Sequence, residues 1–315
     1  MFARLPIPTP FQVGAVNAYL AGRTLVDPGP DSDEAWSALL DALEERELTP
    51  ADIERVLITH PHPDHFGLAA RLAEAGATVV ASEPAADIMR DFRGRYGLES
   101  AFFTDFFERC GMAARTAETV TDLPEAFIRY APDVDTDRVL ADGDTLVVQD
   151  ATLDVLVTAG HAEGEAIFEY TVDGSRRAIV GDHVLAEITP NPFLLPPPES
   201  GGERPRALPT FNRSLDRLRD RDFDRLLTGH RDPVTEPSAR IEEILAAHEE
   251  RSGNVLDLVD GPTTPVDVME GLFGDLPITE YFAGMSEAVG HLDVLEARDE
   301  VQPRERGGLL VYERI

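Results

Sequence analysis

Three imidazoles and a carboxylate fall within six consecutive positions, His60-Pro61-His62-Pro63-Asp64-His65, in a chain with only eight histidines. Neutral imidazole and carboxylate are ligands of borderline divalent ions, so a cluster this dense is metal-binding chemistry that needs partners from elsewhere in the chain. Upstream, residues 55–59 are apolar and β-branched like a buried strand, and residues 68–74 have helical composition, so the histidines lie on a strand-to-helix loop. In extended backbone His60 and His62, two apart, point the same way. Asp64 and His65 start the turn and can face a second ion. Pro61 and Pro63 stiffen the loop and lower the entropy lost when ligands converge.

Remote partners are marked by a repeated local pattern. His161 follows the alternating stretch 153–157 and Gly160, Asp182 follows the apolar run 178–180 and Gly181, and His230 follows Leu226, Leu227 and Gly229. Each candidate ligand therefore comes directly after a short apolar strand and a glycine. The lone cysteine, Cys110, lies in an apolar helical stretch with no histidine near it in sequence and reads as a core or surface thiol, not a catalyst.

In identity and order these residues resemble the metallo-β-lactamase-fold hydrolase superfamily, over roughly residues 10 to 235. The resemblance implies that His60, His62 and His161 hold one metal ion and that Asp64, His65 and His230 hold the other, with Asp182 bridging both. It also matches Val16-Asn17-Ala18-Tyr19-Leu20 and Thr24-Leu25-Val26-Asp27-Pro28-Gly29-Pro30 to the family's opening hairpin, where Asp27 is a supporting residue and not a ligand. Many members with thioesterase activity read Thr-Pro-Gly-His-Thr-x-Gly-His around the third histidine. This chain reads Thr158-Ala159-Gly160-His161-Ala162-Glu163-Gly164-Glu165, with Glu165 at the second histidine. His183 is expected to support the site rather than to ligate, because adjacent side chains diverge and Asp182 already has the bridging role.

The implied fold is α/β (α+β), a four-layer αββα metallo-β-lactamase sandwich over 1–235 with a helical insertion at about 84–133. Strands are expected near 16–20, 23–27, 55–59 and 78–81 in one half and near 145–149, 153–158, 166–172, 177–181 and 225–228 in the other. Helices are expected near 33–46, 66–75 and 207–219. Residues 236–315 read as helices followed by a β-like end, which resembles the small winged-helix tail of some members, among them relatives of the lactamase-like protein 2 type. Aromatics of the insertion, Phe102, Phe103, Phe106, Phe107 and Phe127, are read as core packing ahead of substrate contact. The proline-rich segment from Thr189 to Glu199 is read as a loop along the cleft or a homo-oligomer contact.

The ligand set suits two divalent ions, zinc first, with iron or manganese as alternatives. Two such ions roughly 3.5–4 Å apart share a bridging hydroxide formed near pH ~7. That hydroxide attacks a small ester, thioester or lactone, as in glyoxalase II-like enzymes, while Asp64 orients the nucleophile and handles its proton. The alternatives are a metal-dependent nuclease and an iron-dependent redox member of the same fold.

Charge narrows the partners. The net charge is −31, and all 28 basic residues are arginine. Such acidity suits a salt-rich cytoplasm, where screening shortens the Debye length to ~3 Å near 1 M salt. Residues 241–315 hold 5 arginines against 17 acidic residues, which disfavours a nucleic-acid path. The amino terminus lacks a charged n-region followed by an apolar h-region, and no window of about 18 uncharged apolar residues occurs. A halophilic cytoplasmic enzyme acting on a small-molecule substrate, away from membranes, is the expectation.

Overall fold

The computed structural model describes residues 1–122, 125–198 and 202–315, so Leu123 and Pro124 of the expected insertion and Glu199 of the proline-rich segment lie outside the described residues. The strands are β1 (Ala3–Ile7), β2 (Val16–Ala21), β3 (Thr24–Val26), β4 (Arg55–Leu57), β5 (Thr78–Ser82), β6 (Arg138–Leu140), β7 (Thr145–Val148), β8 (Ala151–Thr158), β9 (Glu165–Val172), β10 (Ser175–Gly181), β11 (Arg225–Thr228), β12 (Val301–Arg306) and β13 (Leu309–Arg314). The helices are α1 (Asp33–Glu44), α2 (Pro63–Phe66), α3 (Ala69–Glu74), α4 (Glu83–Arg90), α5 (Phe92–Arg109), α6 (Ala114–Asp122), α7 (Glu125–Ile128), α8 (Ala207–Arg219), α9 (Pro237–Leu258), α10 (Pro265–Phe273) and α11 (Tyr281–Ala297).

The chain forms two compact units. The first comprises Met1–Gly94, Ala126–Pro190 and Arg217–Ile241, and the second Arg95–Glu125, Asn191–Asp216 and Glu242–Ile315.

The first unit is the expected sandwich of two sheets. Strands β1 to β6 form a six-stranded sheet in sequence order, and β11-β10-β9-β8-β7 form a five-stranded one. Facing side chains of Tyr19, Val26, Leu57 and Val80 from one sheet and Leu153, Val155, Phe168 and Ile179 from the other share one core cluster. Covered on both faces, β2 and β3 are buried at every residue, which explains their near-continuous apolar runs. On the outer face α1 buries Ala35, Leu39 and Leu43, four residues apart, in a cluster with Leu25, Val56 and Val79. Ser32 caps α1 by accepting from the Ala35 N–H, and Asp33 and Glu34 complement the helix dipole.

Sheet topology places the histidine-bearing loops. β3 and β4 are parallel, so their C-terminal ends coincide. β8 and β10 both run antiparallel to β9, and β11 runs parallel to β10, so the C-terminal ends of β8, β10 and β11 coincide as well. The Ala166 N–H donates to the Thr59 carbonyl at 2.7 Å and joins the two sets of loops.

Three elements differ from the sequence expectation. β1 is a further strand, and its proline, in Ala3-Arg4-Leu5-Pro6-Ile7, is tolerated because it is an edge strand paired only to β2. β6 is a three-residue edge strand. The single helix expected near 66–75 is two, α2 and α3, because the Leu68 N–H donates to the Gly29 carbonyl at 2.8 Å and leaves the helical ladder. Gly67 at this break sits so close to other backbone that an added Cβ would lie 2.1 Å from the Tyr130 carbonyl oxygen.

The second unit packs Phe103, Phe107, Val255, Val268, Met285, Val289 and Leu292 into its own core. The insertion phenylalanines Phe103, Phe106 and Phe107 are buried there, the packing role expected of them. Cys110 is in the same cluster, and burial pushes its thiol up to about 12, which makes it inert as a nucleophile at neutral pH. α11 is buried from Gly284 to Leu295. Its polar residues inside that stretch are paired: Asp293 with Arg204 at 2.6 and 2.8 Å, and His291 with Ser252 at 2.9 Å. The α10 amino terminus is closed by Thr264 and Asp267, each side chain bonding the other's backbone N–H.

Candidate metal centre

Seven side chains from four loops converge at the C-terminal ends of the first unit's strands. β4 delivers His60 and His62, and α2, starting at Pro63, delivers Asp64 and His65. The loops after β8, β10 and β11 bring His161, Asp182 and His230. Glycine precedes the last two candidate ligands for steric reasons. At Gly181, with φ 52°, an added Cβ would lie 2.5 Å from the Thr59 hydroxyl, and at Gly229 it would lie 2.2 Å from Asp182 Oδ1.

Three groups of side chains that could hold a metal ion share this space: two separate triads, and a third group, His60, His65 and Asp182, that overlaps both. His60, His62 and His161 offer ring nitrogens to one point, and Asp64, His65 and His230 offer two nitrogens and a carboxylate to another. His62 Nδ1 lies 3.0 Å from His60 Nε2 and 3.2 Å from His161 Nε2. Tetrahedral ligands at about 2.0–2.1 Å from zinc are separated by about 3.3 Å, so the nitrogens have the spacing of ligands round one ion. Asp182 stands between the triads. Its Oδ2 is 3.8 Å from His161 Nε2 and 3.4 Å from His230 Nε2, and its Oδ1 is 3.6 Å from His65 Nε2. Buried His65 Nε2, His230 Nε2 and Asp182 Oδ1 have no hydrogen bond of proper geometry among the described residues, although His230 Nε2 lies 3.2 Å from Asp64 Oδ2. Polar atoms this deeply buried need a partner, and a cation between them would supply it.

Supporting bonds fix the tautomers. Asp27, buried and with φ 50°, accepts from the Thr59 N–H at 2.8 Å and from the Thr59 hydroxyl at 2.6 Å, and its Oδ2 lies 2.9 Å from His65 Nδ1. Because a carboxylate only accepts, His65 Nδ1 carries a proton, and Nε2 is the nitrogen turned toward the site. The Thr59 hydroxyl, having donated to Asp27, accepts from His60 Nδ1 at 3.0 Å, which leaves His60 Nε2 as a ligand atom. His230 Nδ1 donates to the Ala15 carbonyl at 2.9 Å with the same result. From sequence, Asp27 is legible only as a supporting residue and Thr59 only as the end of a strand; their shared hydrogen bonds are a product of the fold.

Electrostatics separate the two triads. Burial holds His60 well below the usual imidazole range, with neighbouring imidazoles adding to the effect, and burial followed by His161 pushes His62 down to about 3. Both are neutral, the state in which an imidazole can bind a metal ion. Burial would raise Asp182 and Asp64, but His230 and His65 beside Asp182, and His65 and His230 beside Asp64, hold both carboxyls below their usual range. Burial would lower His65 and His230, but Asp182 and the neighbouring aspartates outweigh it and raise both. In the metal-free protein these two imidazolium charges contribute stability below about pH 6.5, and it is lost as pH rises through their raised values. A metal ion displaces those protons, so its stabilisation grows with pH. The loss of melting temperature on chelation is therefore expected to be larger at about pH 9 than at about pH 6; an equal loss at both would contradict this charge assignment.

His183 is buried with Nδ1 3.1 Å from Glu165 Oε2, and it belongs to neither triad. Glu165 also accepts from the His161 N–H at 3.1 Å.

A two-sheet sandwich whose strand ends gather two His/Asp triads about a shared aspartate is the arrangement of the metallo-beta-lactamase superfamily. That superfamily's description matches residues 12–230, and the chain belongs to it. Among its relatives, the probable metallo-hydrolase YqjP of Bacillus subtilis (strain 168) is 31% identical over 322 residues, covering 98% of this chain and 96% of that protein. A metallo-beta-lactamase family protein of Thermus thermophilus has a solved structure with TM-score 0.78 and 29% identity, covering 100% of this chain and 98% of the other. A beta-lactamase domain protein from Burkholderia ambifaria shares the fold at TM-score 0.77 and 23% identity, covering 100% and 92%.

Proposed function

We propose that this protein is a binuclear metallo-hydrolase of small esters, thioesters or lactones. The observation that carries the reading is the convergence of His60, His62 and His161 on one point and of Asp64, His65 and His230 on another, with Asp182 between them. The full-length likeness to a probable metallo-hydrolase supports hydrolysis. Zinc is the proposed metal from the balance of nitrogen and carboxylate donors. Bound in pairs, such ions supply a nucleophilic hydroxide at neutral pH and Lewis acidity toward a carbonyl oxygen.

The chain's own residues do the rest. Asp64, 3.2 Å from His230, orients the nucleophilic water and takes its proton for delivery to the leaving group. Asp27 and Thr59 keep the β4 loop rigid, so little reorganisation is needed in the reaction.

Substrate choice is assigned to an aromatic patch tied to the same loops. Phe11 lies in the β1–β2 loop that ends at Ala15, the acceptor for His230 Nδ1. Its ring centroid is 5.0 Å from Phe127 and 5.9 Å from Tyr130, and Phe127 is 39% exposed. Tyr130 abuts Gly67, two residues after His65, through its carbonyl oxygen. A partly exposed aromatic wall at this edge suits an apolar acyl group. The acidic surface argues against a polyanionic substrate.

Turnover of a short- and a long-chain acyl thioester, a lactone, a β-lactam and single-stranded RNA tests the reading. Acyl or lactone hydrolysis is expected, with Phe127→Ala raising KM for the long-chain thioester about tenfold, equivalent to about 1.4 kcal/mol, and leaving the short one within twofold. Cleavage of RNA with no acyl turnover would overturn the proposal.

A further inference from the structure

Glu165 is a buried carboxylate that neither triad uses, and the fold places it where three ligand-bearing segments meet. It opens β9, paired in register with Thr158 at the end of β8, and is only 2% exposed. Its Oε2 accepts from the backbone N–H of His161 at 3.1 Å and lies 3.1 Å from His183 Nδ1, beside Asp182. The next residue, Ala166, donates its N–H to the carbonyl of Thr59, immediately before His60. One carboxylate oxygen thus holds the His161 loop to the Asp182 loop, and one peptide further on the same strand is held to the His60 loop. A carboxylate in so dry a position is expensive to bury, and an apolar side chain would serve packing alone better.

We infer that Glu165 is a positioning residue, acting through the His161 backbone and the His183 ring to set the distance between the His60–His62–His161 triad and Asp182. Glu165 acts without touching the metal itself. His161 is the sole member of its triad from the second sheet and sits on a short loop between β8 and β9, with Gly160 at φ 150° and Gly164 at φ 69°. The acceptor oxygen ties down the backbone of that loop. The second triad has its own supports in Asp27 and the Ala15 carbonyl.

This inference rests on the metal reading of the site, and cobalt binding separates the two. Cobalt(II) titrated into the wild type is expected to fill two sites with distinct visible spectra. In Glu165→Ala the site containing His161 should weaken by about 10–100-fold, the effect typical of losing an outer partner, with its spectrum altered and the other site weakened less. Glu165→Gln keeps an acceptor oxygen and should restore affinity and spectrum. If the alanine variant does not fold, Glu165→Met fills the same space without an acceptor and should show the same selective loss. Unchanged affinity and spectrum at both sites in the variants lacking the acceptor would overturn the proposal, as would equal weakening of both sites. A wild type that binds no cobalt would overturn the metal reading and this proposal together.

Discussion

Replacing Asp182 by alanine is expected to give a folded protein that has lost most of its bound metal and has hydrolytic activity reduced by at least about 100-fold. The lower bound follows from outer partners of metal ligands, whose loss alone costs about 10–100-fold. Asp182 faces His161, His230 and His65 from a single carboxylate, so its removal leaves both triads without their shared charge. It also leaves the two imidazoles that the aspartates hold above their usual range, His65 and His230, without their main source of negative potential. Metal analysis beside circular dichroism separates the outcomes: a folded variant with the wild type's metal content and turnover would remove Asp182 from the centre.

Asp64→Asn is expected to act on turnover more than on loading. The His60–His62–His161 triad is untouched, and asparagine retains an oxygen toward the second point, but it cannot take a proton. A positioned acid-base group contributes roughly 10²–10⁴-fold, and kcat should fall within that range while KM stays within a few-fold. Single-turnover rates measured on samples matched for metal content provide the check; a variant within threefold of the wild type in kcat would assign the proton transfer elsewhere.

The positions of the candidate site were legible because each candidate ligand follows a strand and, in three loops, a glycine. Gly181 and Gly229 are required by contacts with Thr59 and Asp182 from other loops, so the glycine pattern is a trace of the three-dimensional crowding. Both sheets were legible where strands are buried on both faces, as β2 and β3 are. β1 and β6 were not: one contains Pro6 and the other spans three residues, and each lies at an edge where burial imposes little pattern. The break between α2 and α3 depends on the Gly29 carbonyl, far away in sequence, and no local signal carries it. Glu165 was visible as a departure from a histidine-containing motif. Its bonds to the His161 backbone and to His183 come from the register of β8 with β9 and the loop after β10, which composition does not encode.

The −31 net charge, with no lysine, is a property of composition. Among the described residues no helix is long and apolar enough to cross a membrane. The fold places several arginines in pairs with acidic residues, such as Arg204 with Asp293 and Arg251 with Glu287 in the second unit. Partly buried pairs of this kind are bonded on both sides, whereas exposed pairs contribute little.

The central claim is a two-ion centre, and its most direct test is the number of metal ions per chain in protein purified in high salt without chelators, measured by elemental analysis. Two ions per chain, both removed by a chelator with loss of hydrolysis and both restored by added zinc, are the predicted result. One ion per chain that cannot be raised by added zinc, or none, would contradict the account.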